Sequence, residues 1–244
     1  MDVTVFQLGL FLGATFFAAL VAGVTGFAFA LIAAAVWLHI LTPLQTATLT
    51  ICYGLLVQGY GFWKMRHAFN WGRVWPYIVG GAPGVAIGIH VLRWANPAHM
   101  RMGIATFLVL YSIYSLTRPA IRPIQAGAAA DTAIGFLSGA LGAMAGFPGI
   151  IIVIWCTLRG WPRDVQRGVF QPVSVAMLSM SAVALGATGS IALNTVYLFL
   201  MGLPALALGT WAGFRLYGKI DDEGFRKIVL WLLLAAGLFL LASL

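Results

Sequence analysis

Long apolar runs separated by short polar breaks fill the chain from end to end. Read between turn signals, they cover residues 5–24, 27–40, 44–63, 74–92, 99–117, 131–145, 149–159, 164–187, 194–217 and 225–243. Most have the roughly 20 residues that an α-helix needs to cross a bilayer. The runs 27–40 and 149–159 fall short. At about 1.5 Å per residue they reach roughly 17 to 21 Å, so each is predicted to be a half-helix or one arm of a re-entrant hairpin. The one long non-apolar stretch, 118–130, contains Pro119, Pro123 and Gly127 and acts as a linker between a first half, 1–117, and a second, 131–244.

The two halves align. Gly26-Phe27 matches Gly146-Phe147, and each pair is followed by a short apolar run, a proline turn (Pro43, Pro162) and a glutamine (Gln45, Gln166). Further on, Gly84-x-x-x-Gly88 matches Gly209-x-x-x-Gly213, and Met100-Arg101 matches Phe225-Arg226 at the same spacing of 125 positions. Paired, glycine-interrupted short segments in corresponding places are the sequence mark of a secondary transporter built from repeats.

Composition turns this pattern into a solvent argument. Apolar and aromatic residues make up 61% of the 244 positions and charged residues 8%, with a mean hydropathy of +0.97. So few charges cannot cover a water-soluble surface, and apolar side chains must face outward into lipid. The predicted fold is an all-α polytopic membrane protein, one membrane domain with no separate aqueous part.

The net charge of +8 comes from 14 Lys and Arg scattered singly between apolar runs, which excludes a nucleic-acid surface and points to topology instead. If each half is a glycine-broken helical hairpin plus three transmembrane helices, 12 of the 14 basic residues face the cytoplasm and Arg93 and Arg101 lie outside. Four simple crossings per half put nine of them outside. The positive-inside rule therefore selects two inverted repeats, with both chain ends on the outer side. Trp63, Trp71, Trp75, Trp94, Trp155 and Trp161 stand at run ends beside basic residues, as in an aromatic belt, and the segment Trp63 to Trp75 is expected along the cytoplasmic surface. Met1-Asp2-Val3-Thr4 has no basic leader and no cleavage site follows, so the first helix is expected to be retained.

The breaks carry the candidate chemistry. A helix that restarts at bilayer depth presents unsatisfied N–H groups bearing partial positive charge. Two such ends meeting near the midplane form an anion site without a buried lysine. The alternative is that glycine and proline only kink packed helices. Polar residues follow each break: Gln45, Thr46, Thr48 and Thr50 after Pro43, and Gln166, Arg167, Gln171 and Ser174 after Pro162. Arg167, about one and a half turns into an apolar helix, is placed to grip an oxyanion with two N–H groups; the competing reading is an interfacial arginine that snorkels. Gln171-Pro172 suggests local unwinding. Asp131 reads as a helix N-cap and Asp221-Asp222-Glu223 as a helix start with Glu223 paired to Lys227. His39, His67, His90 and His99 sit at run ends, and Cys52 and Cys156 lie singly in apolar runs, so neither metal nor cofactor is expected. No nucleophile triad, paired intramembrane carboxylates or phosphate loop occurs, so no enzyme is expected.

Gly23-Val24-Thr25-Gly26-Phe27, Pro43 to Thr48, Gly142 to Gly149 and Gly209 to Arg226 together resemble the TauE/SafE family of sulfite and organosulfonate exporters over nearly the whole chain. Phe27 and Phe147-Pro148 stand where family members usually carry more glycine. The resemblance implies movement of sulfite, sulfoacetate or related sulfur-containing anions across a bacterial inner membrane. The combined expectation is alternating access to a small anion. Thr25, Gly26, Phe27, Gly146, Phe147 and Gly149 would supply backbone and shape contacts, and Gln45, Thr48, Gln166, Arg167 and Gln171 polar side chains. The expected partners are the anion and the lipid bilayer, with a homodimer as an open arrangement. A passive anion channel, a small-carboxylate transporter and a non-transporting scaffold are the rival readings.

Overall fold

In membrane sequence the apolar run is itself the helix signal, because lipid leaves the backbone no other partner for its polar groups. The computed structural model of the chain describes residues 5–117, 123–187, 189 and 191–217, with 230, 231, 234, 235, 237, 238, 241 and 242 of the last run. Among the described residues there are helices and connecting turns and no strand. The helices are α1 (Val5–Thr25), α2 (Phe29–Trp37), α3 (Pro43–Lys64), α4 (Trp71–Trp94), α5 (Pro97–Thr117), α6 (Ala128–Ala145), α7 (Pro148–Leu158), α8 (Arg163–Ala187) and α9 (Leu193–Leu216). They fall on the first nine predicted runs. The described residues of the tenth are helical. The helix start at Asp221 to Glu223 and the Glu223–Lys227 pair lie outside the described residues. The helices α1, α4, α6, α8 and α9 are long and apolar enough to cross a membrane, and α4, α8 and α9 leave Val79, Val183 and Leu208 more than half exposed, as lipid-facing positions require.

The chain packs as two units, Met1–Thr46 with Ala95–Pro119 and Ala192–Leu244, and Ala47–Trp94 with Ala120–Ile191. Each unit draws on both sequence halves. In the first, Gly26 adopts φ 91°, a left-handed conformation that favours glycine, and α2 doubles back along α1. Trp37 at the end of α2 stacks on Phe11 near the start of α1, with ring centroids 5.0 Å apart. The outer face of α1 lies on α9, where glycine brings backbone against backbone. A Cβ at Gly209 would land on the carbonyl oxygen of Phe16, and one at Gly213 on that of Leu20.

The second unit repeats this construction. Gly146 adopts φ 77°, and α7 returns along α6, with the Ser138 hydroxyl donating to the Pro148 carbonyl. The hairpin arms end side by side. The Ile124 N–H donates to the Leu158 carbonyl at 2.9 Å, and Arg159 meets Asp131 at 2.9 Å. On α4, a Cβ at Gly80, Gly84 or Gly88 would land on the carbonyl oxygen of Thr132, Phe136 or Ala140 of α6. Phe16 and Leu20 stand 120 positions before Phe136 and Ala140, and Gly84 and Gly88 stand 125 before Gly209 and Gly213. The same contact is thus made twice, each time between a helix of one half and a helix of the other.

From Trp63 to Trp75 the chain ends α3 at Lys64, makes a 3₁₀ turn over Arg66–Ala68 and begins α4 at Trp71. Two local expectations change. Pro172 does not unwind α8, which is continuous through it; membrane helices tolerate proline where neighbouring groups and small local adjustments make up for the lost hydrogen bond. Asp131 is not the N-cap of α6. Gly127 is, and Asp131 lies in the first turn, drawn inward by the partners described below.

Candidate functional site

Both breaks are real helix interruptions, and they are finished differently. At the first, Thr25 is half-buried and its hydroxyl donates to the Val21 carbonyl at 2.9 Å and accepts from the Ala28 N–H at 3.4 Å. Thr25 therefore covers one of the free donors ahead of α2. Gly26 is buried and Phe27 half-buried beside it. At the second break Phe147 holds the N-cap position of α7 with no side-chain cap, and Pro148 follows at the first helical position. Proline has no N–H to satisfy. The backbone donors facing out of this end therefore begin at Gly149, and Gly146, Phe147 and Gly149 are all buried. The Thr50 hydroxyl lies 2.9 Å from the Ala47 carbonyl and 3.1 Å from that of Ala145. A Cβ on Gly146 would overlap it, so Thr50 of α3 pins this break in place.

The matched glutamines close helix starts. The Gln45 Oε1 accepts from the Thr42 N–H at 3.1 Å, and the Thr42 hydroxyl accepts from the Gln45 N–H at 3.2 Å, a reciprocal capping box. Gln166 donates to the Trp161 carbonyl at 2.8 Å and ties the turn between α7 and α8. Both side chains thus hold hydrogen bonds to the turns that open α3 and α8.

Deeper in each helix the polar residues keep one face. On α3, Thr46, Thr50 and Tyr53 are buried, and on α8, Arg167, Gln171 and Ser174 are buried, in both cases spaced i, i+4, i+7. That spacing draws one stripe along a helix. Thr48, also buried, lies off it. Arg167 is 5% exposed. Its neighbour Gly168 abuts Ala68 in the turn before α4, so Arg167 stands at the end of α8 that lies by this turn and its Arg66. There, Arg66 lies over Trp63 at 5.5 Å, and Arg73 and Arg159 over Trp161 at 5.3 and 4.6 Å. The predicted residues thus divide: Thr48, Gly146, Phe147, Gly149, Gln166, Arg167 and Gln171 belong to the second unit, and Thr25, Gly26, Phe27 and Gln45 to the first.

One cluster went unread in the sequence. Asp131 accepts from the Tyr77 hydroxyl at 2.8 Å, the Trp155 indole N–H at 2.7 Å and the Arg159 guanidinium at 2.9 Å. Arg159 also donates to the Ala126 carbonyl at 2.9 Å. Every strong partner is present, so this carboxylate is a clasp on the α6–α7 hairpin. The four histidines are exposed, and no three His, Cys, Asp or Glu side chains gather to hold a metal among the described residues.

A family model described as sulfite exporter TauE/SafE matches residues 11–240. The chain belongs to the TauE/SafE family. No curated protein and no solved structure gives a match. The matched span takes in both glycine breaks, the α3 and α8 stripes and the Asp131 clasp. Membership of this transporter family, with five helices able to cross a bilayer, makes the TauE/SafE chain a multi-pass membrane protein.

Proposed function

We propose that the chain is a secondary transporter of small sulfur-containing anions, such as sulfite, sulfoacetate or related sulfonates, in a bacterial inner membrane. In this reading the halves 1–117 and 131–244 are inverted copies that alternate access to the anion. The observation that carries it is Arg167, a guanidinium withdrawn from solvent on the polar face of an otherwise apolar helix. A guanidinium is a planar fork of five donors that matches the geometry of an oxyanion, and at a buried position that match is little screened by water. The doubled α1–α9 and α4–α6 contact supports a duplicated plan, and the family description supports the sulfur-containing cargo.

In proteoliposomes, Arg167→Ala is expected to lower sulfite uptake by about tenfold to hundredfold, the worth of a charge-assisted hydrogen bond of roughly 1.5 to 3 kcal/mol. Arg167→Lys should keep part of the flux. Wild-type rates from the alanine variant would remove Arg167 from the mechanism. Saturation and counterflow distinguish a transporter from a passive channel. The basic end of the second unit is placed on the cytoplasmic side by the positive-inside rule. In a Cys52→Ala/Cys156→Ala background, Arg66→Cys should be shielded from an impermeant thiol reagent in intact cells while Arg93→Cys reacts. The reverse pattern would invert the proposed orientation.

A further inference from the structure

Between α3 and α8 of the second unit, three buried polar atoms meet no hydrogen-bond partner among the described residues: Gln58 Oε1, Gln171 Oε1 and Ser174 Oγ. Their residues are 7%, 1% and 0% exposed. Two contacts set how the helices face each other. A Cβ at Gly54 would lie 3.2 Å from the Leu178 side chain, and one at Gly61 would lie 2.5 Å from Gln171 Nε2. Numbers rise along α3 as they fall along α8, so the helices are antiparallel and Gln58 stands level with Ser174. The bare face of Gly61 is what lets the Gln171 amide lie against α3.

Folded proteins satisfy the large majority of their buried polar groups, and each one left without a partner is destabilising. Three within one turn of one helix pair point to a ligand site. The groups suit an oxyanion that must later leave. The Ser174 hydroxyl can donate as it stands, and each amide, turned end for end, presents its NH₂ where the unpartnered Oε1 now lies, so that two amides and a hydroxyl donate without holding a full charge. Arg167 lies one turn before Gln171, on the side of the basic end. A ligand drawn in by those charges meets the guanidinium first and the neutral groups roughly 6 to 10 Å further along the helix.

We infer that Gln58, Gln171 and Ser174 form a neutral binding station for a small oxyanion with several oxygens, reached past Arg167, with Gly61 keeping room for the Gln171 amide. This rests on the anion reading above. The test is sulfite and methanesulfonate binding to the full chain in nanodiscs, by calorimetry and by the anion-induced rise in Tm. Gln58→Leu and Ser174→Ala should each weaken binding about twofold to tenfold, and together more, as expected for lost neutral hydrogen bonds. Without anion, their Tm should stay level or rise, because an orphaned polar atom is removed. A fall in anion-free Tm with unchanged affinity assigns these side chains to packing and overturns the station. So does wild-type affinity in both variants when Arg167→Ala has lost it, an outcome that leaves the anion reading standing. Failure of the unmutated chain to bind either anion overturns that reading and the station with it.

Discussion

Gly84→Ala and Gly209→Ala are expected to destabilise the protein strongly and to about the same extent. Each methyl would be driven into a main-chain carbonyl oxygen, that of Phe136 in one case and Phe16 in the other. A long side chain could swing aside, but a helix backbone cannot. Overpacking a well-filled interface costs about 1 to 3 kcal/mol even where side chains can give way, and here α4 must lift off α6, or α9 off α1. With total stability of only about 5 to 15 kcal/mol, the expected result is a large fall in Tm and poor recovery as a monodisperse detergent-solubilised protein. Gly13→Ala and Gly103→Ala are the controls, because nothing lies within 4 Å of a Cβ at either position. Their Tm should stay level or rise slightly, as alanine is the better helix former. Equal behaviour of all four variants would mean that these helices do not touch through their backbones.

Asp131→Ala should cost more than any other single removal of a polar side chain. The substitution strips the Arg159 guanidinium of its carboxylate and leaves it the Ala126 carbonyl and the Trp161 ring, while the Tyr77 hydroxyl and the Trp155 indole lose their acceptor. Breaking one side of a largely buried ion pair is typically worth about 3 to 5 kcal/mol. Asp131→Asn keeps an acceptor for Tyr77 and Trp155 but not the charge, so it should fall between. Arg159→Ala on top of Asp131→Ala should cost less than the two single changes added together, since no charge is then left unpaired. Thermal unfolding of the four proteins measures this directly. Additive losses would show that Asp131 and Arg159 do not act as a pair.

What could be read from the sequence follows from what lipid demands. Helix positions were legible because a bilayer crossing needs a long apolar run, and the breaks because Gly26 and Gly146 each end a run early and must take a left-handed turn. The packing of α4 was partly legible in Gly80, Gly84 and Gly88, but their spacing names no partner, and hydropathy cannot say that α4 chooses α6. The hydrogen bonds that Gln45 and Gln166 make at helix starts were obscured by their setting. A polar side chain in an apolar run suggests a ligand, although Thr42-x-x-Gln45 is also a capping box. Asp131 finds its partners on α4 and α7, far along the chain, so local spacing pointed only to a cap. Gln58 has no matching amide in the other half and left no repeat signal. Only its burial opposite Ser174 sets it apart.

The pairing of α1 with α9 bears on biosynthesis. Phe16 leaves the ribosome about 190 codons ahead of Gly209, the residue that abuts it. At roughly 5 to 20 amino acids per second, that is a wait of about 10 to 40 s. Throughout that interval the carbonyls of Phe16 and Leu20 lack the glycine face that covers them in the finished fold.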